Sequence, residues 1–391
     1  MLRSATLEQT WRRFAPKAKR AGITRIADLT GLDTLGIPVF AAIRPMGLSL
    51  STQQGKGTSP EAARISALME SLETWSAENI VLPIVRGSYR ALAKKSAARS
   101  RARKPPPRVV DVRKLPRAAK RLDLDETWPW IEGRRLHALS VTDGRSTSIW
   151  VQPTFGDRVL VPLQAVSLDT TFDQPPVFDV SSNGLGAGNT YGEAILQGAC
   201  EVLERDAEAA WRRSGSDRRL ILDTITDATV LDLIGRITRT GARIFIWDLE
   251  PRGNLCAIGC GIMEDPREPA WRALGMYQGF GAHWLPEIAI TRAIVEAAQT
   301  RLTYIAGARD DFFPFDYERA TDPELMADVW SRLAAPCESP VVFDDLPRST
   351  PQSIFEGLDE VIVVNLTHPT LQVPCVKIIV PGFATDVEAL G

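Results

Sequence analysis

Cysteine and histidine are scarce in this 391-residue chain, which holds five of the former and three of the latter. Cys200, Cys256, Cys260, Cys337 and Cys375 form no CxxC pair and are odd in number. That argues against a disulfide framework and for a reduced, cytoplasmic setting. His137, His283 and His368 lie far apart with no HxxxH spacing, which removes the usual zinc-hydrolase pattern. Cys256 and Cys260 could share a helix face as metal ligands, but LCAIGCGIM around them reads as a buried strand. No apolar run approaches the roughly 18 residues of a membrane-crossing helix. The N-terminal MLRSATLEQTWRRFAPKAKR is Arg-rich and amphipathic, without the apolar stretch or cleavage site of an export signal. An excess of one charge is missing too. With 46 basic and 48 acidic residues, net −2, overall electrostatics give no reason to expect nucleic acid or a membrane surface. No internal repeat of fixed period is visible.

The length is enough for a large core, as one big domain or two to three subdomains. Residues 1–58 read as an N-terminal cap, with a strand at 39–43, and a long domain covers 59–383, leaving a short tail at 384–391. Ser59-Pro60-Glu61 opens a helix over 60–80, with Ser at the N-cap and Pro in the first turn. Residues 86–121 carry fourteen Lys or Arg against one acid, Asp111, and the run Pro105-Pro106-Pro107. This is expected to be an exposed, partly flexible insertion, either a solvated basic face or a surface for an acidic peptide or partner. Its lack of aromatics disfavours nucleic acid. Residues 135–180 alternate as strands, 217–248 read as helix then strand, and 254–276 as a strand pair. A Gly-rich turn at 279–283 precedes a helix over 287–306, and strands follow at 361–364 and 376–380. Long helices among antiparallel-looking strand pairs predict a mixed α/β (α+β) fold.

The most informative stretch is Ser182-Asn183-Gly184-Leu185-Gly186-Ala187-Gly188-Asn189-Thr190, a glycine turn that runs straight into a carboxylate-rich helix to about 213. Glycine allows close backbone approach to an anion, and the helix start adds positive potential. On that helix Glu193, Gln197, Glu201, Glu204 and Glu208 line the side opposite Ile195, Leu196, Ala199, Val202 and Leu203. Such a face is either solvated or a site for hard cations and phosphates. In the 60–80 helix, Ser66, Glu70 and Glu73 share an arc at i, i+4 and i+7. Arg292 and Glu296 sit at i and i+4 of the third helix, with Gln299 a turn on; alone they read as a surface ion pair. Lys56 lies just upstream of the first helix in a loop, QQGKGT. That loop is not a P-loop, because Leu50 replaces the first Gly and Gly57 the Ser or Thr. The glycine turn also fails the dinucleotide fingerprint, since Asn189 stands at its last Gly.

Taken together and in order, these segments resemble the YcaO family. The resemblance rests on QGKG, Ser66-xxx-Glu70-xx-Glu73, SNGLGAGNTYGEAILQGACEVLERDA and TRAIVEAAQTR with AGARDD after it, and spans about residues 20–383. Residues 22–45, with LTGLD and GIPV, look most like YcaO proteins paired with a TfuA-like partner. The resemblance implies a YcaO-type fold, in which mixed or antiparallel sheets flanked by long helices enclose an ATP site. It also implies ATP- and Mg2+-dependent activation of a peptide backbone amide. An amide oxygen leaves poorly, and phosphorylation makes it a good leaving group, with Mg2+ and arginine stabilising the transferring phosphoryl group. Carried over by position, Glu70, Glu73, Glu201 and Glu204 are expected to hold Mg2+. Lys56, Ser66, Arg205 and Arg292 are expected at the nucleotide or its phosphates, with Asn183, Asn189 and Gln197 as further contacts. Arg205, Arg292 and Glu296 are the expected catalytic set.

An external sulfide in such a reaction gives a thioamide, and a substrate Cys, Ser or Thr gives an azoline. Azoline-forming members commonly end in PxPxP. The segment PGFATDVEALG lacks that pattern, and no additional peptide-binding or E1-like domain is expected, which favours the thioamide product in a ribosomally made, modified peptide or protein. An azoline-forming cyclodehydratase and a non-catalytic accessory protein are the alternatives. The expected partners are the peptide or protein substrate and a TfuA-like protein, and a homodimer fits the family.

Overall fold

The computed structural model describes residues 3–98, 105–143, 149–171, 175–307, 309 and 313–384. Helix α1 (Leu7–Phe14) precedes an antiparallel sheet of β1 (Arg25–Asp28), β2 (Val39–Ile43) and β3 (Thr52–Lys56), in that order. Helix α2 (Pro60–Glu78) follows, its start capped by Ser59, which accepts from the Ala62 N–H. A seven-stranded sheet contains β4 (Val85–Ser88), β5 (Arg108–Val109), β6 (Thr127–Asp143), β7 (Ile149–Pro162) and β8 (Leu185–Ala187), with α3 (Tyr89–Ala97) between β4 and β5. Next come α4 (Tyr191–Ser214), α5 (Ala228–Thr238), and a third sheet of β9 (Arg243–Asp248), β10 (Cys256–Met263) and β11 (Tyr277–His283). Helices α6 (Pro286–Ala306), α7 (Pro314–Thr321) and α8 (Pro323–Ala334) precede β12 (Ile362–Asn365) and β13 (Cys375–Ile379), which return to the seven-stranded sheet. Its order is β5-β7-β6-β12-β13-β8, with β4 also on β6. No helix among the described residues is long and apolar enough to cross a membrane.

The third sheet divides two cores. On one face Ile244, Ile246, Ile258 and Ile262 pack with Val230 and Leu233 of α5 and Ala289, Ile290 and Ala293 of α6. On the other, Trp247, Phe280 and Ala282 pack with Ile195, Ala199 and Leu203 of α4. The first sheet shares its core with α2, through Phe14, Phe40, Ala42, Ala67, Leu68 and Leu72. The boundary drawn at residue 58 therefore runs between a strand and a helix that pack on each other.

One arrangement recurs three times. Strands β3, β8 and β11 each lie at the edge of their sheet, and each leads within a few residues into the long helix that covers it, α2, α4 or α6. In each pair a glycine presses on the helix backbone. A Cβ on Gly55 would stand 1.9 Å from Ala67 N and 2.5 Å from Ala63 O. The same clash would come from Gly186, against Ala194 O and Gly198 N, and from Gly281, against Ala289 O and Ala293 N. The repeat is spaced unequally along the chain, so a search for a fixed period does not reveal it.

The structure corrects several expectations. Residues 279–283 are part of strand β11 and not a turn, and Lys56 is the last residue of β3 and not in a loop. The glycine turn before α4 contains β8. The strand pair placed at 254–276 is β10 with β11, which begins only at Tyr277. After β7 no further strand fills the described residues up to 180. Within the basic stretch 86–121, the described residues 86–98 are exposed or half-buried, as expected, while parts of the stretch are tied to the fold. Its β4 and β5 join the large sheet, and Val110, Val112 and Leu115 are buried in a core with Trp130, Val159 and Val161.

Candidate functional site

The repeat explains how distant parts of the chain reach one cleft. Counting from the helix residue whose N–H meets the glycine (Ala67, Gly198 and Ala293), the preceding residue is Ser66, Gln197 or Arg292. The third residue after it is Glu70, Glu201 or Glu296, and the sixth is Glu73, Glu204 or Gln299. Equivalent turns of α2, α4 and α6 thus present one polar or cationic group and two acidic or amide groups each. In each helix the i, i+4 and i+7 spacing puts the three on one stripe.

The three units hold each other in a ring. Glu73 on α2 lies beside β8, where the Ala187 N–H favours its charged form. The Ala282 N–H of β11 donates to Glu204 on α4 at 2.8 Å. Lys56, at the end of β3, donates to Glu296 on α6 at 2.6 Å. Arg292 Nη1 donates to Gln197 Oε1 at 3.1 Å, and its Nη2 lies 3.8 Å from Glu204. Arg205 pairs with Glu208 at 2.8 Å and lies 3.8 Å from Glu296. Lys56, Gln197, Glu204, Arg205, Arg292 and Glu296 are therefore brought into one network, with Glu70, Glu73 and Glu201 in its electrostatic field. Ser66 lies on the same stripe of α2.

The charges show what the cleft lacks. Burial pushes Glu201 up to about 8, and Glu70 and Glu204 add to it against Arg205. Burial, then Glu70 and Glu201, push Glu73 well above the usual carboxylate range. Glu204 is raised by burial and Glu296. Glu70 keeps its side chain open to water in the cleft, yet the surrounding protein and Glu296 also raise it. Burial works the same way on Glu296, but Lys56 and Arg205 outweigh it and hold its carboxyl low. Carboxylates that destabilise one another's charge form a donor set in want of a cation.

Among the described residues, no three Asp, Glu, His or Cys side chains stand together so as to hold a metal ion by themselves. Mg2+ needs no such group, since it binds through one or two carboxylates together with phosphate oxygens and water. The residues present fit that mode.

Two predicted contacts are placed differently. Asn183 lines a small recess with Asp179, Ser181 and Lys377, and its buried Oδ1 has no partner among the described residues. Asn189 is engaged by the N-terminal helix: its Oδ1 accepts from Thr10 Oγ1 at 3.2 Å and its carbonyl from Arg13 at 2.6 Å.

Other residues at the site had not been anticipated. Lys377 of β13 is buried behind Glu201 and Glu73, and burial lowers it to about 8 although those carboxylates oppose the shift. Its signal was a lone charge in the apolar run CVKIIV. Arg3 lies in the field of Glu193 and Arg292, while the Ser4 N–H donates to Glu193. His283 closes β11 beside Arg292. Neither Arg3 nor His283 carries a motif of its own.

Comparison with known proteins accords with this geometry. The YcaO family model, described as a cyclodehydratase binding ATP and Mg2+, matches residues 54–384. The chain belongs to the YcaO family. A YcaO relative from Methanopyrus kandleri, solved with AMPPCP and Mg2+, superposes with a TM-score of 0.71 at 25% identity, over 99% of this chain and 93% of that one. A heterocyclase solved with substrate and cofactor shares the fold, with a TM-score of 0.70 at 19% identity, over 98% of this chain and 53% of that one. An uncharacterized Rhizobium leguminosarum bv. trifolii protein, encoded in the tfuA 3′ region, is 33% identical over 99% of this chain and 89% of its own length. An uncharacterized Methanothermobacter thermautotrophicus protein is 29% identical over 98% of this chain and 96% of its own. The mixed α/β fold expected from the sequence is thus the YcaO fold, and ATP and Mg2+ are the cofactors of the family.

Proposed function

We propose that this YcaO protein uses ATP and Mg2+ to activate a backbone amide of a peptide or protein, for conversion to a thioamide, together with a TfuA-like partner. The observation that carries the ATP reading is the ring of α2, α4 and α6, where clustered carboxylates meet Lys56, Arg205 and Arg292 in one cleft. The likeness to a protein encoded beside tfuA supports the thioamide product.

In this reading Glu70, Glu73, Glu201 and Glu204 hold Mg2+ against the phosphates. Lys56, Ser66, Gln197 and Arg292 bind the nucleotide, with Asn183 and Asn189 at its margin. Arg205 and Arg292 face the charge that develops on the transferring phosphoryl group, and Glu296 orients Lys56 and Arg205. When bound, Mg2+ neutralises phosphate charge while ATP supplies the phosphoryl group that makes the amide oxygen a leaving group. Sulfide adds to the amide carbon, the oxygen leaves as phosphate, and the C=S bond remains. The residues supply position and field and form no bond to the substrate.

The family's description as a cyclodehydratase favours an azoline as the second reading. Peptide mass spectrometry of host cells with and without the gene separates them. The thioamide reading predicts a peptide whose sulfur-for-oxygen exchange disappears on deletion and returns with the wild-type gene. A gene-dependent loss of water would establish the azoline instead. Neither change would overturn both and leave an accessory role.

A further inference from the structure

The third helix start differs from the other two. Ser59 caps α2 and Thr190 caps α4 through side-chain oxygens, but Leu285 gives α6 no side-chain cap. The residue two places beyond the packing glycine, at the end of the strand or just past it, also differs. In the first two units it is Gly57 or Gly188, where a Cβ would stand 2.7 Å from Ala63 N or 2.6 Å from Glu193 Cβ. In the third unit it is His283.

The β10–β11 register sets His283 opposite Cys256, Gly281 opposite Ile258 and Gly279 opposite Cys260. Alternation therefore places His283 on the α6 side of β11, one step beyond Gly281, whose Cβ would lie 2.7 Å from Arg292 Cβ. The ring is 2% exposed and stacks on Trp284 with centroids 3.7 Å apart. Its Nδ1 accepts from the Leu285 N–H at 3.1 Å, which leaves the proton on Nε2. Burial and the neighbouring Arg292 hold the imidazole neutral, at about 3. Among the described residues His283 Nε2 has no partner, and neither does the buried Nε of Arg292. Buried donors left without an acceptor are costly and uncommon in native proteins. Two of them, His283 just before α6 and Arg292 at the end of its second turn, call for an anion.

We infer that His283 is a phosphate-binding residue, whose Nε2–H joins Arg292 Nε–H in holding the terminal phosphoryl group of ATP. This rests on the ATP reading above. His283 acts as a neutral donor, where the glycines of the other two units leave room only for backbone.

Two substitutions test it. His283→Phe keeps an aromatic ring against Trp284 but removes the donor, and His283→Gln keeps an N–H. Calorimetric titration with a non-hydrolysable ATP analogue and with AMP, both in Mg2+, is the readout. The Phe variant is expected to bind the ATP analogue about 10- to 100-fold more weakly, as for a hydrogen bond to a charged group. AMP affinity should stay unchanged, and the Gln variant should recover most of the loss. Unchanged binding of the analogue by the Phe variant, or an equal loss for analogue and AMP, would overturn the assignment while the ATP site stood. Absence of analogue binding by the wild-type chain would overturn both.

Discussion

Arg301 is a fully buried charge outside the cleft. Its side chain is 0% exposed, and it donates to Asp33 at 2.9 Å and to Glu264 at 2.8 Å. Arg272 also pairs with Glu264 and reaches Thr34. The cluster ties the N-terminal segment to α6 and the end of β10, and so fixes the helix that carries Arg292 and Glu296. Arg301→Met would strand the buried Asp33 carboxylate and leave Glu264 to Arg272 alone, and is expected to cost about 3–5 kcal/mol in chemical denaturation. A loss below about 1 kcal/mol would show the network to be dispensable. The same cluster predicts a pH dependence. Burial alone would raise Glu264, but its bonds to Arg272 and Arg301 prevail and hold it below its ordinary 4.5. A carboxyl lowered on folding stabilises the fold above its unfolded value, and that contribution disappears as pH falls through the folded one. Glu264→Gln should therefore lower Tm at pH 7, with the difference from wild type shrinking below about pH 4. A difference that persists undiminished into acid would contradict the assignment.

Elements matter here through how closely they approach. Gly281 lets β11 lie against the backbone of α6, with Ala289 O only 2.3 Å from where a Cβ would be. Gly281→Ala must push strand and helix apart, at a cost of about 1–3 kcal/mol. It should also weaken nucleotide binding, because Arg292 and Glu296 move away from α4. Gly156→Ala is the matched control: a Cβ there meets nothing nearer than Arg135 O at 4.0 Å. It should change stability by no more than about 0.5 kcal/mol. Equal behaviour of the two variants in urea titration would remove the close-approach argument. These glycines also show where sequence reasoning stops. Helices α2, α4 and α6 were legible, because apolar periodicity and the Ser59-Pro60 start are local signals. Strands β3, β8 and β11 were not. Glycine weakens a strand pattern and imitates a turn, and its reason for being there is a helix seen only in three dimensions.

Across the whole molecule, three edge strands and three helices enclose one cleft. The acidic pattern was readable as three separate helix faces, and the family resemblance joined them. What joins them physically is long-range: Ala282 to Glu204, Lys56 to Glu296, Arg292 to Gln197. No spacing along the chain encodes those contacts. Lys377 and His283 were missed for the same reason, since each is defined by what surrounds it. In the basic stretch 86–121 the surrounding charges hid Val110, Val112 and Leu115, which anchor its second part in a core. The central claim is that this cleft binds ATP through Mg2+ held by its carboxylates. Calorimetric titration of ATP into the purified chain, with and without Mg2+, beside Glu201→Gln, tests it most directly. The account predicts Mg2+-dependent binding by the wild type that is lost in a variant folded at least as stably, because one of the crowded carboxylates is gone. Binding of equal strength in Glu201→Gln, or binding indifferent to Mg2+, would contradict it.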